Sequence, residues 1–225
     1  MRHFVLYILT LLCVAAGAAT GSDGQAKRYE FNQPLGSEWE YINAPQTGRY
    51  NIGEGRLRLY GATEDLDANG RPTFVGLRPD SAGFSMTTKL FLFDTLDGDE
   101  AGLAVYQAPQ GYLQCCLNNY RGTHRLKLRL TLRNVRTVLV DKPMGIVNNV
   151  WLRMEDDGQN YTFHYSTDGQ RYHLLESVDK SLLRPVVVGG GTGIVAGLYA
   201  YQGTTKLQAG PSYADFDFLE VSNKK

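Results

Sequence analysis

The sequence carries no net charge, with 23 lysines and arginines set against 23 aspartates and glutamates in 225 residues. Without excess positive charge there is no field to draw in a phosphate backbone, which excludes nucleic acid as a partner class. Histidine is scarce, and His124, His164 and His173 lack the spacing that would place two zinc ligands on one helix face. Cysteine is scarcer still. Cys13 falls in the apolar opening run, which leaves Cys115 and Cys116 as direct neighbours. Adjacent residues on a strand point to opposite faces, so a bridge between them would need a strained ring. Disulfides are therefore no framework here, and one thiol is expected in the core with the other facing outward. No Gly-x-Ser-x-Gly elbow occurs, and no Gly-Lys-Ser/Thr follows the glycines of Gly189 to Gly193, so neither a hydrolase nucleophile nor a phosphate loop is signalled. After residue 19 no apolar run approaches the roughly 20 residues needed to span a bilayer.

What is present begins with a leader. Met-Arg-His is followed by an apolar run from Phe4 to Ala19 that ends in Ala15, Ala16, Gly17, Ala18 and Ala19. This is the form of a secretory signal peptide, too short for a transmembrane helix and without a stop-transfer cluster. Residues 1–22 are expected to be removed, leaving one β-sandwich domain over residues 23–225, secreted or periplasmic, with no membrane span. Removal takes one arginine and no acid, so the mature chain stays near neutral with 22 basic and 23 acidic residues.

From residue 28 onward the hydrophobic period is two. Leu126, Leu128, Leu130 and Leu132 alternate with Arg125, Lys127, Arg129, Thr131 and Arg133, the pattern of a half-buried strand. Residues 56–60, 150–155 and 161–165 alternate likewise. Further strands are expected near 38–42, 73–76, 84–93, 101–106, 112–118, 136–140, 171–176, 194–201 and 213–221. Asp157-Gly158 and Asp168-Gly169 each lie between alternating runs and predict type I′ hairpins. A dozen short antiparallel strands with one apolar side each close as two stacked sheets, so the fold class is all-β, a jelly-roll sandwich.

Several residues bear on chemistry. Asp65, Asp67, Asn69 and Gly70 match the first half of a calcium loop, but Gly76 stands where a bidentate Glu is needed. Asp97, Asp99 and Glu100 form a second acidic loop, and Asp215 with Glu30 a third conceivable calcium pair. No cofactor is expected, calcium being the one candidate these loops offer. Asp215 and Asp217 are two apart on one strand, the spacing a glycosidase pair would take, though two outward acids opposite an inward Phe216 and Phe218 fit the same pattern. Arg125, Lys127, Arg129 and Arg133 share one side of a strand. Arg56, Arg58 and Arg153 are outward on others. If these strands adjoined, they could hold an acidic sugar chain through Arg–carboxylate pairs. Tyr106, Tyr112, Tyr120 and Tyr201 sit near strand ends, where sugar rings stack on aromatic faces.

Taken together, Leu35-Gly36-Ser37-Glu38-Trp39-Glu40-Tyr41, Gly55 to Gly61, Arg71-Pro72-Thr73-Phe74-Val75-Gly76, Thr87 to Leu90, Glu100 to Tyr106, Leu152-Arg153-Met154 with Asn160 to Gly169, Gly197 to Ala200 and Ala214 to Phe218 form a recognisable set. In this order, over about residues 29 to 221, they resemble the C-terminal concanavalin A-like domain of family 43 β-xylosidases. In that family the catalytic carboxylates lie on a five-bladed propeller preceding the sandwich. The resemblance therefore implies a concanavalin A-like sandwich of two antiparallel sheets, here directly behind a leader and without the catalytic domain.

The resulting expectation is a non-catalytic module that binds polysaccharide or oligosaccharide, xylan or arabinoxylan in particular. Tyr106, Gln114, Asn118, Tyr120 and Arg129 are the candidate contacts. Gln114, Cys116 and Asn118 share one side of their strand, so the two amides could meet sugar hydroxyls if that side faces solvent. Two alternatives stand beside it. One is a glycosidase of xylo-oligosaccharides using Asp215 and Asp217 or the 97–100 cluster; the other is a subunit that docks on a separately encoded glycosidase.

Overall fold

The computed structural model describes residues 26–43, 47–67, 70–79, 83–93, 96–191, 193–203 and 212–223; the expected leader, residues 1–22, lies outside them. In chain order the strands are β1 (Ala26–Tyr29), β2 (Trp39–Glu40), β3 (Tyr50–Gly53), β4 (Arg56–Tyr60), β5 (Thr73–Leu77), β6 (Phe84–Phe93), β7 (Glu100–Ala108) and β8 (Gly111–Tyr120). They continue as β9 (Thr123–Leu132), β10 (Val135–Gly145), β11 (Val150–Asp156), β12 (Asn160–Ser166), β13 (His173–Asp179), β14 (Val195–Tyr201) and β15 (Tyr213–Asn223). Between β13 and β14 lie a 3-10 turn, Lys180–Leu183, and one helical turn, α1 (Pro185–Val188). Among the described residues no helix is long and apolar enough to cross a membrane.

Two antiparallel sheets result. One has seven strands in the order β10-β9-β8-β7-β14-β5-β2. The other has eight, in the order β13-β12-β11-β6-β15-β4-β3 with β1 also on β15. The period-two pattern explains the packing. Leu126, Leu128 and Leu130 of β9, Leu113, Cys115 and Leu117 of β8, and Leu103 and Val105 of β7 turn into the space between the sheets. There they meet Leu57 and Leu59 of β4, Leu152 and Met154 of β11, and Phe216 of β15. Each such side chain removed from water contributes about 1.5–3 kcal/mol, so this contiguous core is what holds the two layers face to face. The expected sandwich is thus present.

Local structure departs from expectation where burial is low. The sequence pattern misses β1, whose side chains are mostly exposed, and β3, whose alternation of Tyr50 and Ile52 with Asn51 and Gly53 runs for only four residues and buries none of them fully. The type I′ turns fall elsewhere than expected. Glu54-Gly55, Arg121-Gly122 and Arg133-Asn134 each have positive φ at both residues and close two-residue hairpins. At Asp157-Gly158 and Asp168-Gly169 only the glycine has positive φ. The aspartates bind forward instead: Asp157 Oδ1 accepts from the N–H of Gln159 and Asn160, and Asp168 Oδ1 from those of Gln170 and Arg171. These are longer loops built on side-chain mimicry of a turn. The backbone donors of Arg171 and Gln170 hold the Asp168 carboxyl down at about 2.

Gly102 of β7 marks a tight approach of two central strands. A Cβ there would lie 2.0 Å from the Cys115 carbonyl oxygen and 2.7 Å from Cys116 Cα on β8. At Gly53, on the outermost β3, the nearest atom to an added Cβ is 3.9 Å away. Gly102→Ala is therefore expected to cost at least the upper end of the usual overpacking range of about 1–3 kcal/mol. Gly53→Ala should stay within about 0.5 kcal/mol of the parent. Urea midpoints measure both, and equal midpoints for the two variants would remove this contact as a constraint.

Candidate functional site

Pairing register fixes which side chains share the outer face of the seven-stranded sheet. One row across it reads Tyr201, Glu100, Asn118, Arg125; the next Phe74, Tyr199, Gly102, Cys116, Lys127; the next Gly76, Gly197, Ala104, Gln114, Arg129; and the last Val195, Tyr106, Tyr112, Thr131, Arg136. Four of the five candidate contacts, Tyr106, Gln114, Asn118 and Arg129, are thus brought to one face. That face is not open. The segment after β4 folds across it, Ala62 bridging to Tyr201 and Leu66 packing with Phe74, Ala104, Tyr112, Cys116 and Tyr199.

Polar bonds fasten this cover. Asp65 Oδ1 accepts from Gln114 Nε2 at 2.9 Å, and Arg136 Nη2 lies 2.8 Å from Asp65 Oδ2 while donating to the Tyr112 hydroxyl at 2.9 Å. Beneath, Arg129 pairs with Glu100. The Tyr199 hydroxyl donates to Glu100 Oε1 at 3.2 Å, and Asn118 Nδ2 contacts Oε2 at 3.4 Å. Gln114 and Asn118 are buried, and Arg129 is 9% exposed, so the condition that their side faces solvent fails. A sugar cannot reach these three as the chain stands. Both thiols are also interior rather than one in and one out, because the outer face has a roof. Burial, with the charge of Glu100 adding to it, pushes the Cys116 thiol up to about 12, so it is no nucleophile at neutral pH. Gln114 Oε1, Asn118 Oδ1 and Arg129 Nε have no hydrogen-bond partner, each at a cost of about 1–3 kcal/mol.

Tyr106 is half-buried, stacked on Tyr112 with ring centroids 6.2 Å apart. Burial pushes its hydroxyl up to about 12. Tyr120 alone of the five lies open, 40% exposed at the end of β8. Arg121, Arg125 and Lys127 stand 5.2, 5.6 and 6.0 Å from its ring centroid.

The remaining basic and acidic candidates are separated or consumed. Arg56, Arg58 and Arg153 belong to the eight-stranded sheet and do not adjoin the β9 cations, so the single basic face does not form. Asp215 accepts both arms of Arg58 at 2.7 and 2.9 Å, and Asp217 lies 3.7 Å from both Arg56 and Lys89. These acids face outward among cations, not across a cleft. In the 97–100 loop, Asp97 accepts from the N–H of Arg121, Asp99 from those of Leu96 and Gly203, and Glu100 is the partner of Arg129. Glu30 accepts from Arg28 at 2.5 Å and Asp65 pairs with Arg136, so the carboxylates considered for calcium already have partners, cations for Glu30, Asp65, Asp67, Glu100 and Asp215 and backbone N–H groups for Asp97 and Asp99.

One feature of the structure was not foreseen. A cleft of about 500 Å³ opens where the two sheets end, between Gln107 of β7, Asn160 and Tyr161 of β12, and the 3-10 turn. Gln107 lies just past the inward Leu103 and Val105, in the irregularity between Tyr106 and Ala108 where β7 breaks register with β8 and its alternation ends.

The sequence profile of the β-xylosidase C-terminal concanavalin A-like domain matches residues 28–222. The chain belongs to this family. Among relatives of this β-xylosidase C-terminal domain, the non-reducing end α-L-arabinofuranosidase BoGH43B of Bacteroides ovatus is 27% identical over 202 residues, covering 87% of the chain and 37% of the relative. A putative β-xylosidase of Escherichia coli is 25% identical over 170 residues, covering 73% and 32% respectively. The crystal structure of the GH43 protein BlXynB from Bacillus licheniformis superposes with a TM-score of 0.79 at 25% identity, over 88% of this chain and 39% of that one. The chain thus spans 32–39% of the length of these relatives. A functionally unknown protein of Saccharomyces cerevisiae, 14% identical, shares the fold with a TM-score of 0.62 over 98% of its own length.

Two tests address the covered face and its margin. Glu100→Gln keeps the shape but leaves Arg129 buried without a counter-charge, and should cost about 3–5 kcal/mol in urea unfolding. The double replacement of Glu100 and Arg129 by Met should cost less than the single one; a double variant as unstable as the single would mean that charge pairing is not what matters there. Burial also lowers His124 and His164 from their ordinary 6.5, and His124 Nδ1 accepts the Val147 N–H at 3.1 Å, which requires that nitrogen to be unprotonated. The unfolded chain then binds more protons below about pH 6.5, so stability is full above that value and falls as the pH drops towards the folded values. The urea midpoint should decline from about pH 7.5 to 5, and the His124→Gln/His164→Gln variant should flatten that decline.

Proposed function

We propose that this domain is a secreted or periplasmic, non-catalytic accessory module that holds xylan- or arabinoxylan-type polysaccharide for a glycan-degrading system. The observation that carries the reading is the fate of the carboxylates. Hydrolysis of a glycosidic bond needs two of them facing each other across open space. Asp215 and Asp217 are neutralised by Arg58, Arg56 and Lys89, and those of the 97–100 loop serve backbone donors or the buried pair with Arg129. Membership of a domain family named for β-xylosidases, and relatives named as arabinofuranosidase and β-xylosidase, support the substrate class.

The surface offered to polymer is the corner at Tyr120. Its ring is 40% exposed and offers its uncovered part to the C–H side of a pyranose, while Arg121 and Lys127, which lie over the ring beside the Asp141-paired Arg125, add donors next to it. A second reading, docking on a separately encoded glycosidase, is favoured by one feature. The outermost strand β10 and the loop after it expose Val135, Val138 and Ile146, at 65%, 53% and 79%.

Affinity electrophoresis of the purified protein through gels containing xylan, arabinoxylan, glucuronoxylan or pectin separates these readings. Retardation in a xylan-type gel without loss of polymer viscosity, abolished in Tyr120→Ala, is the expected result. Unretarded migration together with co-purification of a family 43 enzyme would replace the binding module with the docking subunit. Loss of viscosity that disappears in Asp217→Asn would establish an enzyme instead.

A further inference from the structure

The cleft at the end of the sandwich is built differently from the covered face. Its two innermost polar groups come from opposite sheets at positions that elsewhere along the same strands face the core. Gln107 lies beyond Leu103 and Val105 on β7, and Tyr161 two residues before Phe163 on β12. Both side chains are buried, and neither the Gln107 Nε2 nor the Tyr161 hydroxyl has a hydrogen-bond partner. A side-chain amide nitrogen can only donate and a phenol donates readily, so the pair lacks acceptor oxygens.

The outer wall complements this need. Gln159, Asn160 and Ser181 are neutral hydrogen-bonding side chains at the rim. Charge cancels around them. Lys180 is paired with Asp156, and Asp179 and Arg184 carry opposite signs on either side of the 3-10 turn. Hydrogen bonds from Ser181 hold the Asp179 carboxyl below its usual range, which keeps it an acceptor through the neutral region. Leu183, Pro185 and Ile194 supply an apolar strip. An electrically balanced wall, several neutral donors and acceptors, and a short apolar strip match a molecule with many hydroxyls and one C–H face. The volume of about 500 Å³ lies within the range of small-molecule sites.

We infer that this cleft is a binding site for a short neutral saccharide of one or two sugar units, held at its wall by Gln159, Asn160 and Ser181, whose hydroxyl oxygens accept from Gln107 and Tyr161 once those two side chains, closed to solvent in this structure, turn into the cleft. The inference rests on the reading that the protein handles glycans, but it assigns a site separate from Tyr120. Gly111, beside the cleft's end of the sheet, and Tyr120 are the two ends of β8, nine residues and therefore about 30 Å apart. The two sites can accordingly be lost independently.

Titration calorimetry and saturation-transfer NMR with xylobiose test it, with glucuronic acid as the charged comparison. Tyr161→Phe removes one oxygen, and Gln107→Leu replaces an unpartnered amide by an apolar group of similar size. Both variants should keep or raise the urea midpoint while weakening xylobiose binding at least tenfold, a combination that a merely structural role would not give. Tyr120→Ala should leave xylobiose binding unchanged and abolish retention on xylan gels. If the parent protein is retained on xylan but does not bind xylobiose, the cleft site is wrong and the polymer reading stands. If neither is bound, both fail. Xylobiose binding untouched by both cleft variants, or binding of glucuronic acid alone, would likewise overturn the assignment.

Discussion

The pair formed by Glu100 and Arg129 dictates what the outer face of the seven-stranded sheet can be. Two opposite charges held away from water survive only if each is further hydrogen-bonded and water stays out. Tyr199 and Asn118 add hydrogen bonds to Glu100, and Cys116 fills the space beside Arg129. Exclusion of water requires a roof, and Leu66 with Asp65 provides it. Arg136 then fastens the roof to the sheet, since it holds Asp65 and the Tyr112 hydroxyl at once. On this side the molecule is therefore three layers deep, and the middle of the sheet is interior. What solvent can meet lies at the strand ends.

The eight-stranded sheet solves the same charge problem without a roof. Its outer face carries cations over rings, Arg153 on Tyr172 at 3.7 Å, Arg28 on Phe218 at 3.6 Å and Arg58 on Tyr213 at 3.8 Å. Carboxylates fill the gaps between them, Asp215 with Arg58 and Asp217 between Arg56 and Lys89. Paired guanidinium stems cover apolar rings that would otherwise be wet. The zero net charge of the chain is thus distributed locally, pair by pair. With β9 in one sheet and β4 and β11 in the other, the seven basic residues singled out in the sequence form no single basic face.

Period-two alternation made the strands, their inward sets and the sandwich legible, because the fold depends on which residues share a face. It could not reveal whether a face is covered. Leu66 lies in a loop, where no periodicity announces burial, so the row of Gln114, Cys116 and Asn118 reads the same under a roof as under water. The positions of the type I′ turns were hidden for a related reason. Asp-Gly signals such a turn only when the aspartate does not bind its own successors, and at Asp157 and Asp168 it does. Arg121-Gly122 and Arg133-Asn134 carry the left-handed backbone instead, imposed by the register of β8, β9 and β10. Glu100 was visible as an acid in a loop-like cluster, yet its strand position is what commits it to Arg129.

At the ends of a sandwich the inward alternation meets solvent, and the chain must choose between sealing the mouth and leaving it hydrophilic. Two leucines at positions 107 and 161 would close the sheets over one another and add buried apolar area. Gln107 and Tyr161 place a donor amide and a phenol there, with neither satisfied internally. The stable choice and the observed one therefore differ at two positions contributed by different sheets. A chance polar residue on one strand would not require a match on the other. Sites that bind ligands are where such local losses of stability concentrate, because a group already bonded within the protein has nothing left to offer a ligand.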